Sequence, residues 1–258
     1  MLIIKILVCL FAGIGAGLGT GFAGMSAAAV ITPMLVTFLD IPAYTAVGIA
    51  LASDVFASLV SAYTYKKNGN LDIRNGLIMM ASVLVFTMVG SFVSSLLPNS
   101  TMGSFSVIMT MLMGVKFIVK PIMTTKEAMQ GVSAKKRAVQ SVISGALVGF
   151  ICGFVSAGGG IMMLIVLTSI LGYELKTAVG TSVFIMAFTA LTGSLSHFVI
   201  GGMPDITVLL LCVIFTFIFA RIGAKVANRA KPITLNRLTG AILIILGAVI
   251  LAVNFFGK

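Results

Sequence analysis

Long apolar runs, interrupted by only a few polar residues, determine what this chain can fold into. They recur from one end of its 258 residues to the other, and several reach the roughly 20 residues needed to cross a hydrocarbon core about 30 Å thick. Charged residues make up 9% of the sequence, against about 25% in soluble globular domains. We therefore predict an all-α polytopic protein of the cell (plasma or inner) membrane, with about 8 to 10 transmembrane segments.

The formal charge of +11 is gathered in short basic clusters between the apolar runs. Positive loops stay on the cytoplasmic side of a membrane, so these clusters indicate orientation in the lipid bilayer and argue against nucleic-acid binding. The clusters comprise Lys66, Lys67 and Arg74; Lys126, Lys135, Lys136 and Arg137; and Arg221, Lys225, Arg229, Lys231 and Arg237.

The chain also contains an internal repeat. The block Thr45-Ala46-Val47-Gly48 recurs as Thr177-Ala178-Val179-Gly180, and after one inserted residue the register continues to pair Asp72 with Asp205. Chance matching of common residues is the alternative, but one register kept through Asp and a whole block favours duplication. We predict a first transmembrane repeat at 1–125, a basic cytoplasmic linker at 126–137 and a second transmembrane repeat at 138–258. The same register pairs Gly13, Gly17 and Gly21 with Gly145, Gly149 and Gly153.

Each half contains a second apolar piece, Met25–Leu39 or Gly159–Leu171, that is short for a full crossing. All basic clusters can lie in the cytoplasm only if 139–171 enters the membrane and returns, either as two short spans or as a re-entrant pair of half-helices. Each half then crosses an odd number of times, so the two repeats are inverted, with broken or re-entrant helices at the repeat interface. Inverted repeats support alternating access to a central site.

Gly-rich, polar junctions interrupt these broken pairs, at Gly19–Ser26 and Gly153–Gly160. Non-helical backbone at membrane depth must be shielded by protein or line a watery cavity. A half-helix that starts there directs free N–H groups and the positive end of its dipole at the junction, which favours an anionic ligand without a buried Lys or Arg. Close helix packing through small residues is the alternative.

The candidate substrate-binding residues are glycines and small hydroxyl residues at or beside the junctions. Hydroxyls can bind oxyanion oxygens, or they can simply cap helices; Thr181 and Ser182 are the preferred pair. The full set is Thr20, Gly24, Ser26 and Thr45 in the first half and Gly158, Gly159, Gly160, Thr177, Thr181 and Ser182 in the second.

The Gly-rich break, the apolar half-helix after it and the duplicated Thr-Ala-Val-Gly block, extended in the second copy as Thr177–Ser182, together resemble the TauE/SafE sulfite exporter family. The resemblance covers nearly the whole chain. It implies a membrane carrier that moves small sulfur-containing anions, such as sulfite, sulfoacetate or other organosulfonates, commonly outward. The family's glycine cluster stands at Gly158-Gly159-Gly160, whereas Ser26-Ala27-Ala28 occupies the corresponding first-half positions.

Two titratable residues, Asp54 and His197, are candidates for a functional role. Asp54 lies near the middle of the third apolar segment, and an intramembrane carboxylate suggests proton or cation coupling. The alternative is an acid that is hydrogen-bonded to Ser53 or Ser58, or that lies in a watery crevice without moving protons. The single histidine, His197, could sense pH, or it could be a satisfied group near a helix end.

Other functional classes are less well supported. Ser194, Ser196 and His197 are near neighbours on one helix and do not face each other as an activated nucleophile requires. One His and the scattered Cys9, Cys152 and Cys212 supply neither a metal site nor a disulfide framework. We expect no enzymatic activity, no metal and no cofactor. The prediction is a secondary transporter of a small anion; an anion channel, or a carrier of a different solute, is the alternative, and a homo-oligomer stays open.

Overall fold

The computed structural model describes residues 2–94, 111–112, 114–123, 125, 133–155 and 159–256, and the regular structure within them is helical. The helices are α1 (Leu2–Ala23), α2 (Ala28–Leu39), α3 (Ala43–Lys67), α4 (Ile73–Ser94), α5 (Ala134–Val155), α6 (Gly159–Ile165, continued by a π-helical turn at Val166–Ile170), α7 (Leu175–Gly201), α8 (Ile206–Arg229) and α9 (Pro232–Phe256).

Five helices of the described part, α1, α3, α7, α8 and α9, are long and apolar enough to cross a membrane. This confirms the predicted multi-pass membrane protein. Helix α2 is apolar but has only 12 residues, about 18 Å at 1.5 Å per residue, so it covers little more than half of a hydrocarbon core. It ends at Asp40, whose φ is 50°, and Pro42 then leads into α3, a usual stop and start for helices.

Helices α1 and α8 run parallel to each other. Near their beginnings, Lys5 Nζ donates a hydrogen bond of 2.6 Å to Asp205 Oδ2. Near their ends, Gly21 approaches so closely that an added methyl carbon would lie 2.6 Å from Ala220 O and 2.7 Å from Ala224 N. Only glycine allows this approach of two backbones.

Helices α4 and α5 pack in the same parallel sense. Gly145 of α5 faces Met79 of α4, and Gly149 faces Val83 farther along both helices. In the predicted repeat, Gly145 and Gly149 are the counterparts of Gly13 and Gly17 in α1. Each predicted half therefore packs its first helix against the fourth helix of the other half.

Helices α3 and α7 carry the repeated Thr-Ala-Val-Gly block, and they run antiparallel. Tyr44 at the start of α3 lies against Gly201 at the end of α7, and Tyr65 at the end of α3 lies against Gly180. Inversion of the two halves requires corresponding helices to run in opposite directions. The contacts agree with this requirement; the repeat itself stays a prediction.

Basic helix ends gather at one end of the bundle. Lys67 ends α3 and Arg229 ends α8, and Arg137, near the start of α5, has its Nη1 3.9 Å from Asp72 Oδ2. Positive charge is retained on the cytoplasmic side of a membrane, so the sequence predicts that this end faces the cytoplasm, and we call it the cytoplasmic end. Helix α5 begins at Ala134, so 134–137 of the predicted linker form its first turn, and 126–132 lie outside the described residues.

The connections at the two ends are fixed by polar contacts. On the cytoplasmic side, Tyr173 donates a hydrogen bond of 2.8 Å to Asp72 Oδ2, and burial raises the pKa of Tyr173, which keeps it a donor. On the opposite side, Asp205 caps α8 by accepting from the amides of Thr207 and Val208. The Lys5 ammonium, which donates to the same carboxylate, holds the pKa of Asp205 below its usual range.

Candidate functional site

The first junction, between α1 and α2, is a buried turn of non-helical backbone. Gly24 has a φ of 61°, a left-handed conformation that glycine adopts readily. The Thr20 hydroxyl donates to Met25 O at 2.8 Å and to Ala16 O at 2.9 Å, and the Gly24 amide donates to Thr20 O at 3.0 Å. Thr20 therefore holds the break together from inside the protein, so its hydroxyl is committed to backbone carbonyls.

The second junction, between α5 and α6, meets the first one. Gly160 is buried, and a methyl group added to it would overlap the Gly24 carbonyl oxygen and lie 2.6 Å from Met186 Sδ and 3.0 Å from the Ser26 amide nitrogen. Gly158 lies outside the described residues, and Gly159 is the first residue of α6. The first junction is thus in direct contact with the start of α6, although the two are far apart in sequence.

Asp54 lies beside the start of α2. Its carboxylate is 1% exposed; Oδ2 accepts a hydrogen bond of 2.7 Å from Ser26 Oγ, and Oδ1 accepts one of 2.9 Å from Ser58 Oγ. The backbone amide of Ala27 lies near the same carboxylate. Since Asp54 lies in the middle of α3, α2 starts beside the centre of a membrane-spanning helix, and a carboxyl group meets the positive end of its dipole.

These contacts decide between the two serines proposed as partners of Asp54. Ser58 is one turn further along α3 and donates to the carboxylate, whereas Ser53 donates to Ile49 O at 2.9 Å. Asp54 is therefore a hydrogen-bonded acid, as the alternative prediction from sequence states. Ser58 is one of its partners, and Ser26 is an additional one. Proton or cation coupling at Asp54 stays a prediction.

The side chains of Thr181 and Ser182, the preferred hydroxyl pair, do not lie at one site. Ser182 faces Gly24 and donates to Val179 O at 2.9 Å, so it lies at the meeting point of the junctions. The Thr181 hydroxyl instead accepts a hydrogen bond of 3.2 Å from the Asp72 amide, under the cytoplasmic connection between α3 and α4. The two side chains therefore point to different surroundings.

The remaining hydroxyl candidates lie in the first turns of α3 and α7. Thr177 donates to Glu174 Oε2 at 3.3 Å, as a residue that supports a helix start would. Thr45 precedes Asp54 by nine residues, which is about 13 Å along a helix. Neither is among the residues that bring the junctions together: Gly24, Ser26, Gly160 and Ser182, with Asp54 and Met186 beside them.

Two further contacts were not expected from sequence. Met186, the repeat counterpart of Asp54, presents its sulfur to Gly160, and the Tyr65 hydroxyl donates to Gly21 O at 2.8 Å. His197, the counterpart of Tyr65, contacts Tyr44: its Nδ1 lies 3.0 Å from Tyr44 O, and the ring centroids are 4.2 Å apart. These contacts favour a packing role for His197, the alternative that the sequence left open.

Comparison with known proteins places this arrangement in a family. The family model described as "Sulfite exporter TauE/SafE" matches residues 9–250. A "Probable membrane transporter protein YdhB" of Bacillus subtilis is 25% identical over 220 residues, covering 85% of this chain and 89% of the relative. A second B. subtilis protein, "Probable membrane transporter protein YunE", is 24% identical over 253 residues, and a "Probable membrane transporter protein" of Haemophilus influenzae is 27% identical over 273 residues. Alignment with these two covers 93% and 98% of this chain and 92% and 98% of the relatives, respectively.

Proposed function

Because this chain belongs to the sulfite exporter TauE/SafE family, we propose that it is a secondary transporter that moves a small anion, sulfite or an organosulfonate, outward across the cell membrane. The observation that carries the proposal is the contact between the two junctions, Gly24 against Gly160. Broken helices that meet near the midplane are where transporters of inverted-repeat architecture bind their substrates.

The chemistry of the junctions suits an anion. Helix α2 begins beside Asp54, and the Ser26 hydroxyl just before it donates to the carboxylate, so this end of the helix already faces a negative oxygen. A sulfite or sulfonate oxygen could take the same donors. We propose that Gly24, Ser26, Gly160 and Ser182 form the substrate site, with the amides of the two half-helices as its main donors.

The site is closed in this conformation. Gly160 contacts the Gly24 carbonyl directly, so an anion cannot lie between these two residues until they separate. We propose that rocking of one predicted half against the other parts the junctions and exposes the site to alternate sides of the membrane.

Asp54 and the substrate would compete for the same donors. A charged carboxylate beside an anion repels it, whereas a protonated one does not. We therefore propose that Asp54 accepts a proton when the anion binds, so that the proton travels with the anion. This role is specific to the first half because Met186 occupies the corresponding position of the second.

The test is uptake of a radiolabelled anion into liposomes that contain the purified protein. Saturable uptake of sulfite or sulfoacetate, and little uptake of sulfate, would support the proposal. Sulfoacetate is the better substrate for pH experiments, because its sulfonate stays ionised where sulfite titrates. Uptake that rises linearly with concentration would indicate a channel, and no uptake of either sulfur anion by folded, inserted protein would contradict the proposed substrate class.

A further inference from the structure

A basic cavity of about 550 Å³ lies between the cytoplasmic ends of α3 and α8, away from the junctions. Its cations are Lys67 of α3 and Arg221, Lys225 and Arg229 of α8. The three on α8 are each four residues apart, so they form one stripe along the helix. This basic cavity is lined by residues of both predicted halves of the chain.

In the part of the chain that the structure describes, no acid forms an ion pair with a cation of the basic cavity. The ion pairs found among the described residues join Lys5 to Asp205 and Arg137 to Asp72, and neither involves a cation of the cavity. Four like charges around one space repel each other, and an anion bound between them would remove that repulsion. The charge of the basic cavity therefore suits an anionic ligand.

The α3 side of the basic cavity also carries an apolar and an aromatic side chain. Val60 and Tyr63 line it from the same face of α3 as Lys67, and Tyr63 is 67% exposed. Tyr63 lies four residues before Lys67, about 6 Å deeper in the membrane. Tyrosine is enriched at the headgroup level of bilayers, where its ring contacts acyl chains and its hydroxyl meets water.

A ladder of cations beside an exposed tyrosine fits a lipid headgroup better than a free ion. Arg221 lies eight residues before Arg229, about 12 Å deeper along α8, so the charges extend from the water into the headgroup region. A phosphate carried by a lipid reaches this depth together with its acyl chains. A free anion would lose hydration there and gain no contact with Val60 or Tyr63.

We propose that the basic cavity binds the headgroup of an anionic phospholipid of the cytoplasmic leaflet. The lipid phosphate contacts Arg221, Lys225, Arg229 and Lys67, and an acyl chain runs along Val60 and Tyr63. Basic pockets between transmembrane helices on the cytoplasmic side bind phosphate headgroups in this manner. Since α3 and α8 come from different predicted halves, the bound lipid stabilises their packing, whichever solute the protein moves.

The test measures the melting temperature of the purified full-length chain in non-ionic detergent by circular dichroism, with increasing dioctanoyl-phosphatidylglycerol. Dioctanoyl-phosphatidylcholine and inorganic phosphate are titrated in parallel. We expect phosphatidylglycerol to raise the melting temperature with a saturable dependence. In Arg221→Gln/Lys225→Gln the half-saturating lipid concentration rises about 30-fold, since each surface cation contributes roughly 1 kcal/mol to anionic-lipid binding.

The matched control is Lys66→Gln/Lys231→Gln, which removes the same charge from exposed positions outside the basic cavity; it should keep the wild-type response. Lys67→Gln alone should weaken binding about fivefold and serves if the double variant is poorly folded. An equal response of wild type and the cavity variants overturns the proposal. The proposal is also overturned if phosphatidylcholine raises the melting temperature as much as phosphatidylglycerol does. An equal rise with inorganic phosphate would overturn it too and would identify a free-anion site.

Discussion

The Ser26 hydroxyl donates a hydrogen bond of 2.7 Å to Oδ2 of Asp54, which joins the break before α2 to the middle of α3. The donor and acceptor are 28 residues apart in sequence, and the contact places a carboxylate at the start of a half-helix. Most of the functional predictions depend on this pair.

Replacing Asp54 should uncouple transport from the pH gradient. In the proposed function, wild-type protein takes up sulfoacetate faster when the outside of the liposome is more acidic than the lumen. Asp54→Asn is neutral and close in shape, so it should retain uptake but lose this dependence. A gradient effect of wild-type size in Asp54→Asn would show that Asp54 only packs.

Ser26→Ala should slow uptake several-fold and lower the melting temperature. The substitution leaves a buried carboxylate oxygen without a donor, at a cost of about 1–3 kcal/mol. Ser53→Ala is the control, because Ser53 is a buried serine adjacent to Asp54 that donates to Ile49 O instead of to the carboxylate. Equal effects of the two substitutions would show that the Ser26 hydrogen bond has no special importance.

Gly160→Ala should abolish transport in a protein that still inserts into the membrane. The added methyl group would overlap the Gly24 carbonyl, so the junctions could not adopt their closed contact. Gly15→Ala is a suitable comparison, because its methyl group would meet the side chains of Leu246 and Val30 at 3.2 Å, which can shift. The measurements are anion uptake and monodispersity of both variants. Normal uptake by Gly160→Ala would show that the contact between the junctions is not required for transport.

The parallel helix pairs should be similarly intolerant of a methyl group. An alanine methyl at position 21 would lie 2.6 Å from Ala220 O, and one at position 149 would lie 2.5 Å from Val83 O. Each substitution should destabilise the protein by about 1–3 kcal/mol, as overpacking does, and lower its melting temperature. If only one of the two substitutions did so, the α1–α8 and α4–α5 contacts would not be equivalent.

Asp205→Ala should lower stability in a pH-dependent way. The Lys5 ammonium and the amides of Thr207 and Val208 stabilise the charged carboxylate and hold the pKa of Asp205 below its usual range. This stabilisation is complete above the pKa of the unfolded chain and is lost as the pH falls through the lower, folded pKa.

Loss of the cap should cost about 1 kcal/mol near neutral pH, and the difference in melting temperature from wild type should shrink as the medium is made acidic. Lys5→Gln, which keeps the cap, should have the smaller effect. A deficit of Asp205→Ala that does not change with pH would contradict this account.

Much of the architecture can be predicted from the sequence, because the hydropathy of a segment and the positions of its glycines determine its local structure. The apolar runs predicted the long helices, and the Gly-rich segments that contain Gly24 and Gly160 predicted the two junctions. The choice of partners is a tertiary property that the sequence does not display. Thr181 and Ser182 are adjacent, so on a helix they point about 100° apart, and only packing shows that Ser182 faces Gly24. The Tyr65 contact with Gly21 likewise joins residues 44 positions apart.

The parallel pairing of α1 with α8 has a consequence for biosynthesis. Helix α1 leaves the ribosome about 180 residues before α8 begins, which at roughly 5–20 residues per second is on the order of ten seconds or more. During that interval the glycine face of α1 has no final partner and must remain in lipid, or against the translocation machinery, without its native contacts. Assembly of the bundle is therefore completed late in synthesis, and chains truncated before α8 should be recognised by membrane quality control as orphaned helices.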